Sequence, residues 1–270
     1  MPNSAAGYTL GQIANAFGVP DWHPGDHPPM PGVVAHGRRP AVLACGYCHL
    51  PTGLGRPENA SLAGLPSSYI VQQIADFKNG ARKTADPRSE PVQFMVQIAK
   101  NLSDAEIKAA ADYFSRLKRT PWIRVVETDA VPQTKPEEWM LIPLGGGATE
   151  LIGQRIIETP ENVERTKLRD TASGFIAYVP VGSVKKGAEI FATGAGGKTT
   201  PCGICHGQDL RGRGPPALAG RSPSYIVRQL YDMQLGFRNG PSVALMTPVV
   251  AKLTVDDIVA IAAYAASLPP

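Results

Sequence analysis

One stretch of twenty-one residues occurs twice in this 270-residue chain, and that repetition constrains its folding more than any other feature. Leu62–Arg82 aligns without a gap on Leu218–Arg238, with eleven of the twenty-one positions identical. After unequal loops the match resumes: Phe94-Met95 parallels Leu245-Met246, Leu102-Ser103 parallels Leu253-Thr254, and Tyr113 parallels Tyr264. The chain is a duplication of a unit of about 85 residues.

Within each unit the apolar residues recur with a helical period. Ser67 or Ser68 in the first unit and Ser224 in the second are predicted N-caps, and Gly80 and Gly236 are placed to end those helices. The last helix of each unit is predicted to start at Ser103 and Thr254, with acids in its first turn, and Ser103-Asp-Ala-Glu reads as a capping box. The expected fold is mainly α: an N-terminal unit over residues 1–120 with an extended leading segment, a connector over 121–182, and a C-terminal unit over 183–270. The connector has no counterpart in the repeat. Ile123–Val126, Arg155–Glu158 and Phe175–Val179 have strand-like content, whereas Gly145–Gly147 and Glu161–Asp170 read as loop or short helix. The connector is expected to fold against one of the units, or to serve as a docking platform.

The four cysteines lie in two words, Cys45-Gly-Tyr-Cys48-His49 and Cys202-Gly-Ile-Cys205-His206, 157 residues apart. Cys-x-x-Cys-His is the attachment signature of c-type haem. On a helical turn, cysteines at i and i+3 face one way and can form thioethers to two vinyl groups, while the histidine at i+4 can ligate the iron. A redox disulfide at each pair or a four-cysteine zinc site are the alternatives. Neither needs a histidine beside the second cysteine, and zinc would draw both halves onto one ion. Two covalent haems also answer a packing problem. With 28 glycines and 26 prolines the loops are long, the helices are short, and large apolar discs supply burial that they cannot. The apo chain is therefore expected to fold poorly.

Of six methionines, Met95 and Met246 coincide in the repeat, each eight residues before the N-cap of the last helix. That repeated setting makes them the candidate sixth ligands, against the ordinary role of methionine as core filler. His23, His27 and His36 all precede the first motif, are not repeated, and read as solvated loop histidines, although His36 can compete with Met95. Each proximal histidine is expected to donate its other ring nitrogen to a backbone carbonyl, and Pro57 and Pro215 are the candidate sources. Arg82 and Arg238 occupy matching positions and are either propionate partners or helix-end cations.

The net charge is +4, with no Lys/Arg run longer than two, which gives no signal for nucleic acid. The longest apolar runs, such as Ile258–Leu268, fall short of the roughly 18 to 20 residues that span a bilayer. Met1-Pro-Asn-Ser lacks a charged region followed by an apolar stretch, so a secretory signal is absent or has been removed.

The combination of Cys-x-x-Cys-His, Leu-Ala-Gly-x-x-x-Ser-Tyr-Ile-Val-x-Gln, Gly-x-Arg and Met ahead of Leu-Ser/Thr-x-x-x-Ile, present twice, resembles tandem class I cytochromes c, in particular the bacterial two-haem c-four type. The resemblance covers most of residues 41–119 and 183–269, and segments 1–40 and 121–182 depart from it. It implies two all-helical lobes, each with a His/Met haem, passing single electrons in the periplasm between redox partner proteins, a donor and an oxidase or other acceptor. A cytochrome subunit held permanently by a dehydrogenase or oxidase is the alternative. Two-haem enzymes are less well matched: a peroxidase needs two unlike haems, and a thiosulfate dehydrogenase needs a cysteine ligand, for which no fifth cysteine remains.

Overall fold

Short helices dominate the fold, which a computed structural model describes over residues 1–212 and 215–270. The leading segment carries two single turns, α1 (Leu10–Ile13) and α2 (Gly32–Ala35). The first repeat contains α3 (Cys45–His49), α4 (Ser67–Asn79), α5 (Glu90–Asn101) and α6 (Asp104–Arg116). The connector forms β1 (Ile123–Glu127), β2 (Ala130–Pro132), β3 (Thr134–Glu137), β4 (Met140–Pro143), β5 (Thr149–Leu151), β6 (Ile157–Pro160), α7 (Val163–Lys167) and β7 (Phe175–Val179). The second repeat runs through α8 (Ser183–Gly197), α9 (Gly203–His206), α10 (Pro223–Gln234), α11 (Thr247–Val250) and α12 (Val255–Ser267). No helix among the described residues is long and apolar enough to cross a membrane.

The closing helices of the repeats are built alike. Ser103 accepts from the Glu106 amide while Glu106 reaches back to the Ser103 amide, and Thr254 and Asp257 repeat the arrangement on α12. The other two caps differ from expectation. Helix α4 begins at Ser67, which donates to Asp112 instead of capping. On α10 the cap is Ser222, two residues ahead of Ser224, because Pro223 suits the first helical position. In the second repeat α8 crosses α12 so closely that a Cβ on Gly187 would run into the Ala260 carbonyl, and no side chain fits there.

The connector is more ordered than its sequence suggests. A three-stranded sheet has β7 at its centre, parallel to β1 (Val125 opposite Ala177) and antiparallel to β6 (Thr159 opposite Ile176). Phe175, Ala177 and Val179 point alternately inward and are fully buried. The pairs β2–β5 and β3–β4 have no strong propensity signal and are held by the buried Val131, Ile152, Met140 and Ile142.

Contrary to expectation, the connector touches both repeats. Trp122 donates to the Gly55 carbonyl (2.9 Å) and Arg169 to the Tyr47 carbonyl (2.7 Å) in the first repeat. In the second, the buried Glu158 accepts from the Ser222 hydroxyl (2.7 Å) and the Ser224 amide (2.9 Å) at the start of α10. The leading segment joins the same assembly: Trp22 donates to the Leu168 carbonyl, and His23 meets Asp170 at 3.0 Å. His23 and His27 are therefore not solvated loop residues. His27 packs beside Asp21 and Tyr113, and the Asp21 carboxylate raises its pKa against the opposing effect of burial. His36 is exposed at the end of α2.

The repeats meet about a local twofold axis. Arg82 and Arg238 form an antiparallel bridge, with the Lys83 amide donating to the Phe237 carbonyl (2.7 Å) and the Asn239 amide to the Ala81 carbonyl (2.8 Å). Each bridge strand follows the helix, α4 or α10, that carries the repeated Tyr-Ile-Val-x-Gln sequence.

Candidate haem sites

A single helical turn displays each Cys-x-x-Cys-His word, and the glycine at the second position lets each turn pack tightly against its neighbour. A Cβ on Gly203 would lie 2.8 Å from the Phe191 ring, and one on Gly46 would lie 3.1 Å from the Val34 carbonyl oxygen. The turns thus press directly against the preceding elements, which leaves their cysteines and histidines facing the other way.

His49 and His206 are 7% and 8% exposed. His49 Nδ1 lies 2.8 Å from the Ala60 carbonyl oxygen and His206 Nδ1 lies 3.0 Å from that of Pro216. A carbonyl can only accept, so Nδ1 carries the hydrogen in both rings and Nε2 keeps its lone pair. Burial pushes both imidazoles below their ordinary pKa, against the raising effect of those carbonyls. A neutral imidazole with a free Nε2 is what metal ligation needs. The carbonyls come from Ala60 and Pro216, three residues after Pro57 and one after Pro215, because the loop must turn before its backbone reaches the ring.

Met246 opens α11 and lines a cavity of about 570 Å³ together with Cys202, Cys205 and His206. Its walls are mainly apolar, with Phe191, Leu230 and Leu253 among them, and its size falls within the roughly 300–1,000 Å³ of small-molecule and cofactor sites. In the first repeat Met95 and His49 line a smaller cavity of about 90 Å³ beside Tyr69, Ile70 and Phe77. Cys45 and Cys48 lie outside its lining, and Cys45 packs against the first core. Met95 sits within the twelve-residue α5, whereas Met246 is the N-cap of the four-residue α11, so the repeat is imperfect here. His36 lines neither cavity.

Between the cavities lies a polar network that sequence reasoning missed. Arg82 donates to Gln73 (2.8 Å), to Tyr225 (2.9 Å) and to Gln229 (2.9 Å). Arg238 mirrors it, donating to Gln229 (3.1 Å), Tyr69 (2.6 Å) and Gln73 (2.9 Å). Arg221, without a counterpart in the first repeat, reaches the Ser61 and Ala217 carbonyls. All three guanidiniums are buried, and all the acceptors they meet among the described residues are neutral. Arg221 Nη2 and Arg238 Nε have no hydrogen-bond partner among the described residues. Burial pushes the Tyr225 phenol up, and Arg82 and Arg238 outweigh that and hold it below its ordinary pKa. The buried Asp76 and Asp232 lie close enough to offset part of this charge but accept from Gln72, Gln73 and the Ala85 amide and not from the guanidiniums, so donor capacity is left over, and the carboxylates of a haem would meet it. The signal was available in the sequence: Tyr, Gln, Asp and Arg of this network are among the eleven repeated identities.

The donor set also fits the group. Burial pushes the Cys45 thiol up to about 12, so it is no reactive thiolate, and a thioether suits its apolar setting. Among the described residues, no group of three or more His, Cys, Asp or Glu is placed to hold a bare ion.

No protein-family model matches the chain. It is 30% identical over 234 residues to the thiosulfate dehydrogenase electron acceptor of Thiomonas intermedia, covering 85% of this chain and 81% of that one. It is 27% identical to cytochrome c4 of Azotobacter vinelandii, over 86% and 88% of the two chains. Among solved structures, the cytochrome c4 of Acidithiobacillus ferrooxidans superposes with a TM-score of 0.53 at 26% identity, over 83% of this chain and 98% of that one. A thiosulfate dehydrogenase from Marichromatium purpuratum shares the fold, with a TM-score of 0.56 at 24% identity; 86% of this chain is covered but only 38% of that one. A duplicated Cys-x-x-Cys-His unit, two buried neutral histidines and relatives that match over most of both lengths lead to one conclusion: the chain belongs to the c4-type two-haem cytochromes c, electron-transport proteins and not enzymes.

Proposed function

We propose that the chain is a periplasmic carrier of single electrons built from two haem units, residues 1–120 and 183–270, joined by the connector 121–182. Cys45 and Cys48 hold one haem c through thioether bonds, and Cys202 and Cys205 hold a second. His49 and His206 ligate iron through Nε2, and Met95 and Met246 ligate it through sulfur. A haem held this way supplies a one-electron iron couple, and methionine raises its potential.

The chain's own residues do the rest. Ala60 and Pro216 fix the tautomer and tilt of the two imidazoles. A haem held by His49 and Met95, or by His206 and Met246, would offer a substrate no open coordination site, which favours shuttling over turnover. Arg82, Arg221 and Arg238 take up haem carboxylates at the junction. Tyr69, Tyr225 and Gln229 line both cavities, so the two sites are separated there by side chains alone, which supports electron exchange within the molecule. A dehydrogenase acting on a sulfur compound is the proposed donor class, from the similarity to the thiosulfate dehydrogenase electron acceptor of Thiomonas intermedia, with an oxidase or other redox protein as acceptor.

The convergence of Cys202, Cys205, His206 and Met246 on one apolar cavity carries this reading. Spectra of the reduced protein with and without carbon monoxide test it. Six-coordinate haems leave the spectrum unchanged, and the oxidised protein shows a near-infrared sulfur-to-iron band. Ready carbon monoxide binding at one haem overturns the carrier reading in favour of an enzyme.

A further inference from the structure

We infer that Trp139, at the tip of the connector's β3–β4 hairpin, is a positioning residue for Met95: it braces the helix that carries the methionine and keeps the sulfur on the first haem. The inference rests on the proposed ligation by Met95. The indole Nε1 donates to Glu90 Oε2 at 2.7 Å, and the ring lies 5.7 Å from that of Phe94, the residue beside Met95. Both contacts fall on the first half of α5.

That half needs a brace. Along α5 the buried residue is Ala99, near the far end, while Pro91, Val92 and Met95 line the first cavity, so on the outer side of those turns Glu90 and Phe94 rest on the hairpin's Trp139. A helix so placed opens locally at small cost. The hairpin, by contrast, is fixed. Met140 and Ile142 of β4 are buried against Phe175, and Lys167 and Lys135 pair with Glu137 at the end of β3. Its two-residue turn puts Glu138 and Trp139 at φ 47° and 65°, a conformation that favours Asn-Gly. A tryptophan there serves nothing in the turn itself. What it serves is the contact with α5. The described residues of the second repeat show no such brace: Met246 is the N-cap of the four-residue α11, and its amide bonds to the Val243 carbonyl at 2.8 Å.

The test compares Trp139→Ala, Trp139→Phe, Glu90→Ala and Met95→Ala in the haem-loaded protein, using the near-infrared sulfur band, capture of added imidazole and hydrogen exchange along α5. The expected result for Trp139→Ala is capture at one haem and exchange in the first half of α5 faster by roughly three- to tenfold, from loss of an aromatic pair and its hydrogen bond. Trp139→Phe and Glu90→Ala fall between it and wild type, with the second haem unchanged. Wild-type capture and exchange in Trp139→Ala, where Met95→Ala loses half of the band, overturn the bracing alone. A full band in Met95→Ala overturns the ligation beneath it.

Discussion

Arg82 and Arg238 sit across the twofold junction with their guanidiniums exchanged between repeats: Arg82 Nη2 is 2.9 Å from the Tyr225 hydroxyl, and Arg238 Nη2 is 2.6 Å from that of Tyr69. Each side chain thus finishes its hydrogen bonding only in the presence of the other repeat. The junction is part of the fold and not a loose contact between two beads.

Replacement of either arginine by alanine leaves a half-buried tyrosine hydroxyl without its donor, and the expected loss is about 1–3 kcal/mol. Both arginines donate to Gln73 and Gln229, so only the double variant strands the two amide oxygens and it loses more than the two singles combined. Urea midpoints of the haem-loaded variants measure this. A wild-type midpoint in either single variant contradicts it.

The capping boxes of α6 and α12 make the protein acid-sensitive. Arg38 beside Glu106, helped by the Ser103 amide, lowers the Glu106 carboxyl from its ordinary 4.5 to about 2. Partial burial raises the Asp257 carboxyl, and Lys198, Thr254 and Lys186 outweigh it, holding the group below its ordinary 3.8. Both folded pKa values are depressed, so their stabilisation is present above the ordinary values and is lost as pH falls through them. The stability gap between wild type and Glu106→Gln is predicted to hold above about 4.5 and to close towards about 2. A gap independent of pH over that window refutes the assignment.

Gly187→Ala tests the packing of the second unit. A methyl group there collides with the backbone of Ala260, and overpacking of this kind costs about 1–3 kcal/mol. Thermal melts followed by circular dichroism should show the loss.

Preventing haem attachment should unmake the tertiary structure. Replacement of all four cysteines by serine leaves an apolar cavity of about 570 Å³ and the buried Arg221 and Arg238 with donors unmet. The predicted product keeps some helix by far-ultraviolet dichroism but lacks a cooperative thermal transition. A sharp transition near that of the loaded protein contradicts the prediction.

Some of this was legible from residue order alone. Repetition located both units, and local capping chemistry gave Ser103, Thr254, Gly80 and, within two residues, the N-cap of α10. Strand β7 declared itself through Phe175 and Val179. The hairpins β2–β5 and β3–β4 did not, since Lys135-Pro136-Glu137 has no strand propensity and its pairing is fixed by the buried Met140 and Ile142. The carbonyl partners of the histidines depend on how a loop turns, which no side-chain pattern records. Contacts between distant segments, such as Trp139 on Phe94 or Arg169 on Tyr47, follow from the tertiary fold and have no local signal. The junction was half visible: Tyr69, Gln73 and Arg82 recur in the repeat, but only the fold reveals that each bonds to the opposite copy.

Covalent attachment at both motifs is most directly tested by acid–acetone extraction of the purified protein, followed by intact mass and peptide mapping. The account predicts that the colour stays with the polypeptide and that one haem mass each is carried by the peptides containing Cys45–Cys48 and Cys202–Cys205. Colour lost to the acetone, or a motif peptide with unmodified cysteines, would contradict it.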